Sequence, residues 1–158
     1  MNSKETILTV MRAQGEADAL DLRSRAGDMD GTAILREEEK APQFDPEKDY
    51  SGWPKGAPVQ DEGQVWTLLQ PYNAKNYEGR PSTLRALWGL CHTKDPEKAK
   101  AWVDPYGTSG MYMTGECYRE EDGTVWRCKQ GNTVHNAQAL PSAWEQVELE
   151  TKEGDQPE

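Results

Sequence analysis

The sequence predicts an α+β chain: an N-terminal helical arm, then two small antiparallel β-sheet modules in tandem, joined by short linker helices. Three observations carry that reading. The stretch Trp53 to Trp66, W-P-K-G-A-P-V-Q-D-E-G-Q-V-W, returns from Tyr112 to Trp126 as Y-M-T-G-E-C-Y-R-E-E-D-G-T-V-W. Each version sets acidic residues and a glycine between two short apolar runs, which is a hairpin signal. Residues 1–40 differ from both, with no aromatic residue and apolar positions at helical spacing.

The recurrence extends beyond the hairpins. Aromatic to glycine is three residues in both versions (Trp53 to Gly56, Tyr112 to Gly115), and glycine to the next apolar residue is again three (Val59, Tyr118). The turn glycines Gly63 and Gly123 precede Val65-Trp66 and Val125-Trp126. An almost gapless register then runs through Gln70/Gln130, Asn76/Asn136, Pro81/Pro141 and Ser82/Ser142, and the versions close on Trp88 and Trp144. Such self-similarity reads as an internal duplication.

Composition limits what these modules can be built from. Of 158 residues only 35% are hydrophobic, and one Phe stands beside six Trp and six Tyr. Mean hydropathy is -0.95. A large aliphatic core is not expected, so each small unit relies on a few rings. The expected aromatic core is Trp53, Trp66, Trp88, Tyr112, Trp126 and Trp144. A net charge of -10 argues against nucleic acid and anionic membrane surfaces as partners. No apolar run is long enough to span a bilayer, and the first 22 residues carry charges throughout, unlike a signal peptide. Three cysteines, Cys91, Cys117 and Cys128, form no pairing framework, which suggests synthesis in a reducing bacterial cytoplasm.

Taken in order, residues 1–41 form the arm. Ser3-Lys4-Glu5-Thr6 resembles a helix start, and Ile7, Leu8, Val10, Met11 and Gln14 follow at helical spacing. Gly15 weakens the pattern, Ala17, Leu20 and Leu22 resume it, and Gly27 to Gly31 break it. Thr32 is placed to cap a second helix through Glu39, with Ile34 and Leu35 as its large apolar residues. So little apolar surface leaves two readings: a loosely held arm, or a segment that docks on a partner or on sister copies. Asp28-Met29-Asp30-Gly31 lacks the later ligands of a calcium loop.

The first module spans residues 42–92. The second spans 93–148 and includes a linker helix starting at Asp95-Pro96-Glu97, with Asp as cap and Pro in the first turn. Ser82 is expected to cap a helix from Thr83 to Leu90. Alternation turns Trp66 and Leu68, like Trp126 and Cys128, inward; it turns Val65 and Thr67, like Val125 and Arg127, outward. The acidic tail, residues 149–158, reads as disordered.

Tyr112-x-x-Gly115-Glu116-x-Tyr118, Gly123-x-Val125-Trp126-Arg127-Cys128 and Pro141-x-x-Trp144 together resemble the small chitin-binding modules of bacterial chitinases, carbohydrate-binding families five and twelve. Trp102 stands for the opening Trp of that pattern. The first module is a more divergent match, with Phe44 near the opening position and Trp53 for the Tyr. The resemblance covers about Phe44 to Val147. It implies a small β scaffold without catalysis, and similar modules occur beside non-catalytic arms in tail proteins of bacteriophages and prophages. One departure bears on the ligand. The adjacent exposed aromatics that stack on sugar in the chitinase modules are here Gln70-Pro71 and Gln130-Gly131, and polar side chains do not replace ring stacking. The remaining carbohydrate-binding candidates are Tyr72, Tyr77, Trp102 and Tyr106.

No catalytic set is legible. Abundant acidic residues guarantee chance carboxylate pairs, and a glycosidase needs two held across a cleft. His92 and His135 sit in no motif. Cys91-His92, Cys117, Cys128 and His135 lack the Cys-x-x-Cys spacing of a zinc site, and no phosphate-binding loop is present. Neither cofactor nor metal is expected. Cys117 and Cys128 either oppose one another across the hairpin or serve as small buried hydrophobes. The expected function is a structural or adhesive component of a phage tail, located in the virion. Its partners would be tail proteins or sister copies through residues 1–41, and host-surface glycan through the modules. The alternatives are a free-standing carbohydrate-binding module for chitin or peptidoglycan glycan, and an accessory unit of a cell-wall hydrolase.

Overall fold

The computed structural model describes residues 2–149, so the acidic tail from residue 150 lies outside the described residues. The chain is α+β and divides into two compact units at Cys91/His92.

The first unit begins with α1, Ser3–Arg25. A capping box starts it: Asn2 Oδ1 accepts from Glu5 N at 2.8 Å, and Glu5 Oε1 accepts from Asn2 N at 3.2 Å. The helix runs through Gly15 without a break. Helix α2, Gly31–Arg36, is shorter than the expected run to Glu39, and its cap is Asp30, not Thr32. Asp30 Oδ1 accepts from Ala33 N at 2.8 Å, placing a carboxylate where the first free amides of the helix point. Arg25 joins the two helices, meeting Asp21 at 2.8 Å and Glu37 at 2.7 Å.

Residues 2–17 are exposed throughout, whereas Leu22, Ala26, Ile34 and Leu35 are buried. Ala26, Ile34 and Leu35 pack with Val65 and Cys91, so the arm's second half is a layer of the first unit and no structural division falls at Ala41. Backbones approach closely at this seam. A Cβ added to Gly56, whose φ is +91°, would lie 2.9 Å from the Gly27 Cα.

The first sheet is antiparallel with order β1-β2-β3: β1 Pro58–Asp61, β2 Gln64–Leu68 and β3 Trp88–Leu90. Glu62 (φ 54°) and Gly63 (φ 78°) form the two-residue β1–β2 turn. Two left-handed residues match the twist of the flanking strands. The expected helix at Thr83–Leu90 is absent. Turns around Arg80 and Leu84 deliver Trp88 to the open edge of β2, where it pairs with Leu68.

The second sheet has order β4-β5-β6-β7: β4 Lys100–Ala101, β5 Cys117–Arg119, β6 Val125–Cys128 and β7 Trp144–Val147. Strand β4 is parallel to β5, and the other pairs are antiparallel, so this sheet is mixed. The linker helix is a single 3-10 turn, Pro96–Lys98, capped by Asp95; the chain then leaves it to pair as β4.

The two units share a hydrogen-bonding plan. Val59 faces Trp66 as Tyr118 faces Trp126, and Leu68 faces Trp88 as Cys128 faces Trp144. Gly56 N donates to Leu68 O (2.7 Å) as Gly115 N does to Cys128 O (2.8 Å). Leu69 N meets Leu87 O as Lys129 N meets Ala143 O, both at 2.7 Å.

The expected outward face of the hairpins is covered. Val65 lies under Ala26, Ile34 and Leu35, and Val125 lies with Ala99 and Cys117 beside half-buried Val147 and Leu149. A strand buried on both faces loses the polar alternation that assigns an outer side.

Rings fill the other face. In the first unit Tyr50 is central, stacked with Phe44 (5.9 Å) and Tyr72 (6.0 Å) and edge-on to Trp88 (5.3 Å). In the second, Tyr112 stacks with Trp102 (4.9 Å) and meets Trp144 edge-on (5.5 Å). Tyr50 therefore takes the place in the first unit that the spacing assigns to Trp53. Trp66, Trp88, Tyr112 and Trp144 are buried, and Trp53 and Trp126 are only half-buried.

Candidate functional site

The four candidate glycan-binding rings occupy different surroundings. Tyr72 is 6% exposed, and its hydroxyl accepts from Trp88 Nε1 at 2.8 Å. Burial raises its pKa. Its ring belongs to the core and offers no face to a sugar. Tyr77 is 49% exposed and meets Tyr72 edge-on at 5.1 Å. A ring held at its edge and open elsewhere can stack on a pyranose.

In the second unit Trp102 is half-buried, with Tyr112 against it and its Nε1 donating to Asp104 at 2.7 Å. Tyr106 is 65% exposed, in a small turn closed by two backbone hydrogen bonds with Ser109. The structure brings Trp102 and Tyr112 together, but it leaves Tyr106 outside that stack.

Sequence spacing missed a cleft in the first unit. It encloses about 340 Å³ and is lined by Arg23, Gln43, Asp45, Lys48, Tyr50 and Trp53, among others. The Arg23 guanidinium lies 4.2 Å from the Trp53 ring centre, and Tyr50 meets that ring edge-on at 4.7 Å. Burial against the ring lowers the Arg23 pKa. The indole is thus engaged by α1, and the cleft is a helix-to-module seam. Periodicity could not reveal it, because Arg23 lies thirty residues before Trp53 with no pattern linking them.

His92 stacks on Tyr112 (3.7 Å) and its Nδ1 lies 3.2 Å from Glu116 Oε1. The His92 Nε2 is buried without a hydrogen-bond partner among the described residues. His135 is exposed, and its carbonyl accepts from Trp144 Nε1.

Cys91, Cys117 and Cys128 are buried and form no disulfide with one another, and burial raises the Cys117 and Cys128 thiols above their ordinary range. Cys117 opposes Arg127 and Cys128 opposes Trp144, so the register keeps these two thiols from facing each other. Among the described residues no group of three or more His, Cys, Asp or Glu is arranged to hold a metal, and no helix is long and apolar enough to cross a membrane.

No protein-family model matches the chain, and no curated protein is significantly similar to it.

Proposed function

We propose that this chain is a non-catalytic structural and adhesive component of a bacteriophage or prophage tail. Its N-terminal helix anchors it to other tail proteins or to sister copies, and its two carbohydrate-binding-like modules face the host surface or neighbouring proteins. The bare half of α1 carries the reading. Ile7, Leu8, Val10 and Met11 stand between 47% and 63% exposed, in a stretch of helix where no residue from 2 to 17 is buried. Four large apolar residues on one short stretch of helix form a surface suited to another helix or an apolar groove. The resemblance to chitin-binding modules supports the outward role. Multiple copies on one particle would let weak single-site contacts add up.

The test uses the full chain with Ile7→Glu, Val10→Glu and Met11→Glu combined. These positions are exposed, so the fold tolerates the change. Sedimentation should show an assembly that becomes monomeric in the variant, with loss of co-sedimentation with phage particles. A wild-type chain that is monomeric and bound to no particle refutes the proposal.

The exposed rings of Tyr77 and Tyr106 favour a second reading, a free-standing carbohydrate-binding module. It requires measurable affinity of the monomer for chitin or peptidoglycan, lost in Tyr77→Ala or Tyr106→Ala.

A further inference from the structure

The two hairpins solve the same electrostatic problem differently. At the end of β1, Asp61 is buried, and Arg80 grips it with both ends of the guanidinium: Nε to Oδ2 at 2.8 Å, Nη2 to Oδ1 at 2.9 Å. A second guanidinium, Arg85, lies 5.2 Å from the centre of the Trp66 ring. The Trp66 Nε1 donates to the Asp61 carbonyl at 3.3 Å. Carboxylate, indole and indole N–H are all satisfied by the unit's own residues.

Among the described residues the second unit keeps the carboxylate and the indole but not the cations. By register Glu120 stands where Asp61 does, and Trp126 where Trp66 does. Among the described residues Glu120 Oε2 accepts from two neutral groups, Tyr118 Oη at 2.9 Å and Gln138 Nε2 at 3.3 Å. From Pro81 to Trp88 the first unit has seven steps, but from Pro141 to Trp144 the second has three, so the segment that carries Arg85 has no counterpart. Leu140 occupies the position matching Arg80.

The turn differs as well. One extra residue makes the turn between Glu120 and Thr124 three residues long, Glu121-Asp122-Gly123, and Gly123 N now donates to Glu120 O at 2.9 Å. The carbonyl corresponding to the Trp66 acceptor is thereby engaged, and the Trp126 Nε1 is buried with no partner. A cleft of about 520 Å³ opens here, lined by Glu120, Glu121, Asp122, Trp126 and two glutamines, with no Lys or Arg in its wall. Trp126 is half-buried where Trp66 is fully buried.

We propose that this cleft is a receptor for an arginine side chain presented by a partner protein, which supplies in trans the guanidinium that Arg80 and Arg85 supply within the first unit. Three carboxylates with no cation in the cleft wall attract positive charge, and an indole is the ring best suited to hold it. A planar guanidinium can pair with Glu120 and lie over Trp126 together, which a compact ammonium does less well. Neither module need bind a glycan for this receptor to act.

The test follows the indole N–H signals of the full-length protein by heteronuclear NMR at low salt. The probes are acetyl-Gly-Arg-Gly-amide and its citrulline analogue, which has nearly the same shape but no charge. The arginine peptide should move the Trp126 signal saturably and leave the Trp66 signal in place. The citrulline peptide should bind about fivefold more weakly or worse, the loss expected when a cation–π contact and its charge pairing are removed. Glu121→Gln combined with Asp122→Asn should weaken the arginine peptide similarly. Both positions are exposed, and the amide oxygen placed at position 122 still accepts from Thr124 N, so the fold is kept. Equal binding of the two peptides, a shift at Trp66 instead, or no shift at Trp126 overturns the proposal.

Discussion

The two units carry similar hairpins but cover them from different sources. Over Val65 the first unit lays Ala26, Ile34 and Leu35, drawn from a segment outside the module. Val125 in the second is hidden among Ala99, Cys117, Val147 and Leu149, drawn from its own sequence, with Cys117 and Val147 on the neighbouring strands of the same sheet. A sheet of three or four short strands has two apolar faces to hide, and the aromatic cluster hides one. The other needs whatever chain lies nearest. Residues 22–41 are therefore part of the first unit's stability, while residues 2–17 are available for something else.

Replacing the closing tryptophans tests that contrast most severely. Trp88→Ala and Trp144→Ala each remove a buried indole and should cost about 3–5 kcal/mol. Hydrogen exchange should report the loss mainly in β1–β3 for the first variant and in β5–β7 for the second. Equal loss everywhere from either would mean that the sheets are not separately closed.

Leu35→Ala isolates the borrowed layer. Leu35 is fully buried, and about 2–5 kcal/mol should be lost, read as deprotection of β2. A matching truncation on the other hairpin, Val147→Ala, should cost less, because Val147 is only half-buried. Chemical denaturation of both variants makes the comparison, and a larger loss for Val147→Ala would contradict it.

Arg80→Ala leaves the buried Asp61 carboxylate without its fork. The guanidinium is itself half exposed, so solvent screening keeps the loss below that of either core truncation. It should still lower the denaturation midpoint clearly. Glu120→Gln in the second unit, where only neutral donors are lost or exchanged, should change stability by less than about 0.5 kcal/mol. Equal effects would erase the distinction between a satisfied hairpin and an open one.

Acid should loosen the first unit's helix junction. Arg25, and after it Lys40, hold Glu37 at about 2, below its ordinary 4.5. A depressed carboxylate stabilises the fold above the unfolded pKa, and that contribution fades as pH falls from about 4.5 toward 2. Glu37 is near the surface, so the effect is small and best seen as a local change in the α1 and α2 amides. Glu37→Gln should remove it.

Much of this fold was legible because its signals are local. Acidic residues before glycine, then Val-Trp, marked both hairpins, and the pairing of Trp66 with Val59 and of Trp126 with Tyr118 follows from those turns. The candidate site was legible only in part. Tyr77 and Tyr106 are exposed rings, but Tyr72 and Tyr77 lie in one loop, and spacing cannot say which of them turns inward. The shared spacing pointed to Trp53 for the central place, but Tyr50, three residues earlier and outside that spacing, holds it. Long-range coverage left no trace at all. Nothing in Val65 or Val125 announces that Leu35 or Ala99 will lie over it, and two-residue β4 is too short to show a period.

The meeting of Gly27 with Gly56 reaches further than its own contact. At the matching position in the other unit, a side chain added to Gly115 would meet only the flexible end of Lys94, at 3.5 Å. The helical segment thus meets the first module where two glycine backbones approach, a contact the second module has no glycine partner for at Gly115. A rearranged gene placing the second module directly behind residue 41 would leave Gly27 without that seat.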